Sequence, residues 1–261
     1  MNDAFTSTVL VVGLAMFAAT SSVRASPDVS MRASGTLRVT QATLAGHVNQ
    51  TTCPPAEDPS TICFDSKTSG VIRGLGVVSV TNLNIVEDPD SSCERWHSSP
   101  VLTVAGKGKL DLSVNPSRQC ITPQTGVISA TLPFTITGGS GIYAGVTGNG
   151  TFKTFGGPGT TNRQTDTIDG TVSVPGLKFD LTPPVISGAK SKTVVAPKGA
   201  KGARVRYAVS ARDGGKRVSV SCRPPSGSLF KVGRTRVKCR AMDASGNLVT
   251  ASFGVLVRRG R

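Results

Sequence analysis

The stretch "VSVSCRPPSGSLFKVGRTRVKCRAMDASGN", residues 218–247, decides the reading of the C-terminal third of this 261-residue chain. Val218, Val220 and Cys222 alternate with polar residues, and Val237, Cys239 and Ala241 alternate with Arg236, Lys238 and Arg240. A period of two belongs to strands that are apolar on one face and solvated on the other. Both cysteines fall on the apolar faces of neighbouring strands, so a Cys222–Cys239 bridge staples them from inside. Closing that loop stabilises by about 3 kcal/mol on the chain-entropy model. The stretch ends in Asp243-Ala-Ser-Gly-Asn247. Asp and Asn bond their own turn backbone and Gly246 supplies a positive φ, so the ending reads as a hairpin turn. Its oxygens invite a calcium site, but a calcium shell needs more carboxylates than this part of the chain offers, so no metal is expected.

The same alternation runs through "RVRYAVS" (204–210) and "LVTASFGVLV" (248–257), with Val205, Tyr207 and Val209, then Val249, Ala251, Phe253, Val255 and Val257, on the inner faces. The "ARDGG" corner (211–215) reads as a second hairpin turn. Taken in order, "DLTPPVISG" (180–188), "ARDGG", the 218–247 stretch and "SFGVLV" (252–257) resemble the hyalin repeat, or HYR, domain. The resemblance implies an immunoglobulin-like β-sandwich of the kind found in extracellular multidomain proteins, associated with adhesion or binding rather than catalysis. HYR domains often carry a further Cys after the Pro-Pro; "PPVISGAK" has none, so any bridge of that kind is absent.

Charge is concentrated in this same region. From Asp180 to Arg261 there are 18 basic residues against Asp180, Asp213 and Asp243, a net of +15, whereas the preceding residues balance. Exposed strand faces need solubilising residues, yet so one-sided a surface goes beyond a solubility device. It suits docking onto an anionic cell-surface polymer or glycan, through Arg204, Arg206, Arg236, Lys238 and Arg240. Sequence-specific nucleic-acid recognition is not expected, because stacking aromatics are few and nothing resembles a reading helix.

The N-terminal part also reads as β. Segments such as "GTLRVTQATLAG", "GVIRGLGVVSVTNLNIV", "SPVLTVAGKGKLDLSV" and "DTIDGTVSV" are separated by Gly, Pro and Asn clusters, as in an antiparallel barrel or sandwich. "FTITGGSGIYAGVTGNGTF" (134–152), with Gly-rich flanks around Ile142-Tyr143-Ala144-Gly145, resembles the barrel shared by allene oxide cyclases and dirigent proteins. That resemblance implies a fold able to hold an apolar cavity, and it carries no catalytic residue over. The expected class is therefore all-β: a disulfide-clipped barrel over 30–177, then an immunoglobulin-like sandwich over 178–261. The short "VPGLKFDLTPP" connection brings the two into contact.

Residues 1–25 read as an export signal, with the apolar run "TVLVVGLAMFAAT" and small or compact residues before a cut after Ala25. Its "MND" start lacks a basic residue, which leaves a retained membrane anchor as the alternative. An even number of cysteines in an exported chain suggests disulfides. Nearest-neighbour pairing gives Cys53–Cys63, Cys93–Cys120 and Cys222–Cys239, one of 15 possible pairings for six cysteines. Zinc is a poor alternative without any C-x-x-C and with only two histidines.

No catalytic constellation emerges. The Gly138-Gly-Ser140-Gly-Ile142 run fails the nucleophile-elbow pattern at its last position. His47 and His97 read as surface groups, and Glu87, Asp88, Asp90 and Glu94 as a solvated acidic loop. Trp96 beside His97 offers a sugar-stacking pair or, equally, a barrel cap. No cofactor is implied. The expectation is a secreted or envelope-associated, non-enzymatic binding or adhesion protein. The alternative is a carrier of a small hydrophobic ligand, or an enzyme, in the N-terminal barrel, tethered by the C-terminal domain. An open apolar cavity with convergent polar groups would favour the alternative, and a packed interior would count against it. Oligomeric state is not readable.

Overall fold

The computed structural model describes residues 34–55, 57, 60–87, 93–120, 128–156 and 162–261. The expected export signal over 1–25 lies outside them. Alternating side chains and closely spaced glycine turns yield strands throughout, and no described residue is helical.

The N-terminal domain is a closed antiparallel barrel. Its strands are β1 (Ser34–Thr51), β2 (Ile62–Ile72), β3 (Gly76–Glu87), β4 (Cys93–Ser98), β5 (Val101–Val104), β6 (Gly108–Cys120), β7 (Ile128–Gly141), β8 (Thr147–Gly156) and β9 (Arg163–Lys178). β4 and β5 share one position between β3 and β6, broken near Pro100, which has no N–H to give to a ladder. β1 pairs with both β2 and β9, which closes the barrel and leaves no edge to protect. Two stretches that read as continuous strands are folded back as hairpins. "GVIRGLGVV" turns at Arg73–Leu75 to make β2 and β3, and "VLTVAGKGKL" turns at Ala105–Lys107 to make β5 and β6. Both turns lie at the barrel end that meets the C-terminal domain.

That end is filled with apolar side chains, among them Leu37, Ile72, Leu75, Leu110, Val146 and Phe179, around Tyr143. Burial pushes the Tyr143 hydroxyl up to about 12. Phe179 comes from the interdomain connection, so the chain leaves the barrel while still packed into its core.

The C-terminal domain forms three sheets around a second core of Val205, Phe230, Val237, Cys239, Phe253, Val255 and Val257. β10 (Val185–Ser187), β13 (Ser210–Asp213) and β14 (Lys216–Val218) make one sheet. β11 (Lys192–Lys198), β18 (Leu248–Gly260), β17 (Gly233–Met242) and β15 (Val220–Arg223) make the largest, and β12 (Gly202–Arg204) pairs with β16 (Leu229–Lys231). The inward alternation of β17 and β18 matches the sequence reading throughout. The 216–223 stretch changes sheets at Ser219, because β14 pairs with β13 and β15 with β17.

The expected strand over 204–210 is regular only at its ends, where Arg204 closes β12 and Ser210 opens β13. Between them the backbone keeps its in–out alternation but bonds irregularly: the Tyr207 N–H donates to Ser226 Oγ at 2.8 Å, and the Gly227 N–H to the Val205 carbonyl at 2.8 Å. The Tyr207 hydroxyl donates to the Pro224 carbonyl, and its ring meets Phe253 edge-on at 5.0 Å.

Cys53–Cys63 and Cys222–Cys239 are bridged as expected. Cys93 and Cys120 are register partners across β4 and β6, but the expected bridge falls on side chains outside the described ones.

Candidate functional site

The outer face of β17 carries Arg234, Arg236, Lys238 and Arg240, all directed to solvent, at every second position. The opposite face buries Val237, Cys239 and Ala241, so the strand's own alternation pushes the cations outward. Register sets their neighbours. On β18, Gly254, Ser252 and Thr250 lie opposite Arg236, Lys238 and Arg240; on β15, Arg223 lies opposite Lys238 and Ser221 opposite Arg240. Short side chains flank long ones, which leaves a surface concavity of about 900 Å³ lined by Ser221, Arg223, Arg236, Lys238, Arg240 and Ser252 among others. Arg236 Nε donates to Ser252 Oγ at 3.2 Å. Among the described residues, no carboxylate pairs with any cation of this face.

The five basic residues singled out from the sequence do not form one site. Arg236, Lys238 and Arg240 stand together, whereas Arg204 and Arg206 line a separate concavity of about 600 Å³ with Lys192. There Arg204 Nη1 donates to the Gly227 carbonyl at 3.3 Å, and Lys192 Nζ to the Arg206 carbonyl at 2.7 Å. Arg223 and Arg234 were not singled out. Arg234 extends the same alternation by one step and was legible; Arg223 joins only through cross-strand register, which no local pattern carries.

The domain's acids are all elsewhere. Asp180, Asp213 and Asp243 bring carboxylate oxygens within 4.8 Å of one another at the end facing the barrel. They are also the described side chains that could gather around a cation. Asp243 is buried and committed to its turn: Oδ1 accepts from the Ser245 and Asn247 N–H groups at 2.8 and 2.9 Å, and Oδ2 from Asn247 Nδ2 at 2.9 Å. Burial first, then the Asp180 and Asp243 charges, push the Asp213 carboxyl above the ordinary carboxylate range.

The Asp243–Asn247 hairpin turn expected from the sequence is present, and it also seats on the barrel. The Gly74 N–H donates to the Ser245 carbonyl at 2.7 Å. Arg73 Nε donates to Asn247 Oδ1 at 3.2 Å, and Arg73 Nη2 to the Leu181 carbonyl at 2.9 Å. Lys107 Nζ donates to the Leu75 and Ala244 carbonyls at 2.7 and 3.3 Å. Burial lowers the Lys107 pKa, opposed by the Asp243 and Asp180 charges.

The far end of the barrel interior is polar. Asp166 accepts from Thr68 Oγ1 at 2.8 Å and from Thr154 Oγ1 and Gln164 Nε2 at 2.9 Å. Asn82 Nδ2 donates to Asn84 Oδ1 at 2.8 Å, while Asn82 Oδ1 is buried with no hydrogen-bond partner among the described residues. Asn82, Asn84, Thr154, Gln164 and Asp166, with Trp96, Phe152 and Leu132, line a cavity of about 40 Å³. That is room for a few waters, well below the roughly 300–1,000 Å³ of a drug-sized ligand site.

Trp96 and His97 cannot form one stacking face, because adjacent strand residues point to opposite sides. Trp96 is buried, parallel to Phe64 at 6.1 Å, and His97 Nδ1 faces Glu87 Oε1 at 3.3 Å on the outside. Glu87 also lies 3.7 Å from Arg95; Asp88, Asp90 and the Glu94 side chain lie outside the described residues. His47, read from the sequence as a surface group, is exposed within β1.

Residues 179–257 match the family described as the HYR domain, so the C-terminal domain is an HYR domain. No curated protein matches the chain. Matching solved structures include that of the pterocarpan synthase dirigent protein PsPTS1, 18% identical, covering 52% of this chain and 96% of that one, with a TM-score of 0.23.

Proposed function

We propose that this is an extracellular binding protein whose HYR domain attaches it to an anionic polymer or glycan through the outer face of β15, β17 and β18. The partition of charge carries the reading. The domain's three acids are drawn together at the barrel joint, leaving Arg223, Arg234, Arg236, Lys238 and Arg240 on a face without a compensating carboxylate among the described residues. Exposed cations at this density lower their mutual repulsion by taking up a polyanion and releasing its counterions. The two bridged cysteine pairs suit an oxidising compartment outside the cell.

The test compares two variants of the intact protein on an immobilised anionic glycan. Replacing Arg223, Arg236, Lys238 and Arg240 by Gln is expected to abolish retention near physiological salt. Replacing Lys190, Lys198, Lys201 and Arg259, an equal charge away from the row, is expected to reduce it far less. Equal losses would mean that net charge alone acts, and the face would have no special role.

A second reading has one observation behind it: Asn82 Oδ1, buried and without a partner among the described residues, in the cavity that Asp166 also lines. A small molecule donating a hydrogen bond there would satisfy that oxygen. Trp96, the chain's single tryptophan, lines the same cavity, so its fluorescence would report such binding directly. The small volume makes this the weaker use of the geometry.

A further inference from the structure

The spacing of the β17 cations points to the chemistry of the polymer, on the premise that this face binds a polyanion at all. Arg234, Arg236, Lys238 and Arg240 occupy alternate positions of one extended strand, so neighbouring Cα atoms in the row are about 6.8 Å apart. Two residues of extended chain are six backbone bonds. A phosphodiester chain built on a three-carbon polyol also has six bonds from one phosphorus to the next, P–O–C–C–C–O–P. Six such bonds extend to roughly 6.6–7.2 Å, by the reach of an extended chain. One phosphate therefore falls beside each cation without either chain having to bend. A nucleic-acid backbone has the same six bonds between phosphorus atoms, so the spacing selects a phosphodiester chain, and the character of the flanking residues has to decide between the two.

The side chains agree with the spacing. Three of the four cations are Arg, whose planar fork grips a phosphate through two parallel N–H donors. The row is flanked by Gly254, Ser252 and Thr250 on β18 and by Ser221 on β15, leaving a lane for the polymer and hydroxyl donors along it. Arg223 stands opposite Lys238 and doubles the charge at the row's middle. No aromatic residue stands among these positions, so the face has no platform on which nucleobases would stack. We propose that the β17 row binds an extended, base-free polyol phosphate, one phosphate per cation.

The experiment measures affinity of the intact protein for poly(glycerol phosphate), polygalacturonate, heparin and oligo(dT), matched in number of charges, at one salt concentration. Poly(glycerol phosphate) is expected to bind about tenfold more tightly than polygalacturonate, the order of one good charge-assisted contact. The exchange Lys238→Ser with Ser252→Lys keeps net charge but moves one cation sideways onto β18. It is expected to remove most of that preference while leaving affinity for polygalacturonate within about twofold, as the counterion term depends on charge number. Arg236→Gln, a single change on the solvent face, checks the same loss without relying on the exchange variant folding normally. Equal affinity for the phosphate and carboxylate polymers, heparin binding most tightly, or an exchange variant with its preference intact would overturn the polyol phosphate assignment and leave polyanion binding standing. Tighter binding of oligo(dT) would overturn its base-free part. Binding to none of the four would overturn the polyanion reading as well.

Discussion

Gly76 has a φ of 108°, and a Cβ there would overlap the Ala244 carbonyl oxygen of the docked turn. Gly106, at the tip of the neighbouring barrel hairpin, has a φ of 69°, and a Cβ there would meet nothing within 4 Å. The pair separates backbone cost from crowding. Gly106→Ala is expected to cost about 1–2 kcal/mol, the ordinary cost of a side chain in left-handed backbone. Gly76→Ala adds a clash against main chain and is expected to cost more than about 3 kcal/mol in denaturant unfolding. Asp213 gives a pH signature. Its folded pKa lies above the ordinary value, so the folded chain holds this proton more tightly than the unfolded one. Its contribution favours folding below the ordinary carboxylate range and is lost as pH rises through that range to the raised value. Asp213→Asn should accordingly raise the melting temperature slightly at neutral pH, with the gain vanishing in acid; thermal melts across pH would show it.

At the scale of elements, β17 and β18 were legible because an apolar face against a solvated one writes a period of two into the sequence. The bridge between β15 and β17 followed from that same pattern, with Cys222 directly opposite Cys239 in the register. Removing it by Cys222→Ala and Cys239→Ala together should lower stability by about 3 kcal/mol, measured by denaturant unfolding. The sheet change at Ser219 was not legible, since alternation says which way a side chain points and nothing about which strand lies beside it. The basic face was half legible for the same reason. The row along β17 follows local spacing, while Arg223 and the separation of Arg204 and Arg206 depend on pairing between distant segments.

At the scale of the whole molecule, the contact between domains was expected from the short connection, but its content was not. Asp213 and Asp243 read as turn chemistry alone and Asp180 as one acid in the charge balance; only the fold brings the three together, with Asp180 and Asp243 acting on Lys107. Lys107→Met leaves the Ala244 and Leu75 carbonyls short of a donor and the acids short of a cation, which should cost about 1–2 kcal/mol. Combining it with Asp213→Asn should cost less than Lys107→Met alone, since the repulsion that Lys107 offsets is then smaller; a double-mutant cycle by thermal or denaturant unfolding measures this. The three acids gather at the barrel end of the domain, while the outer face of β17 itself carries only cations at its alternate positions.

The most direct measurement is the salt dependence of binding to a soluble anionic glycan such as heparin, for the intact protein and for Arg236→Gln. A steep linear fall of log affinity with log salt is expected, its slope reduced by about one for the loss of that single cation. A flat salt response, or a slope untouched by Arg236→Gln, would contradict the assignment of the β17 face as the attachment surface.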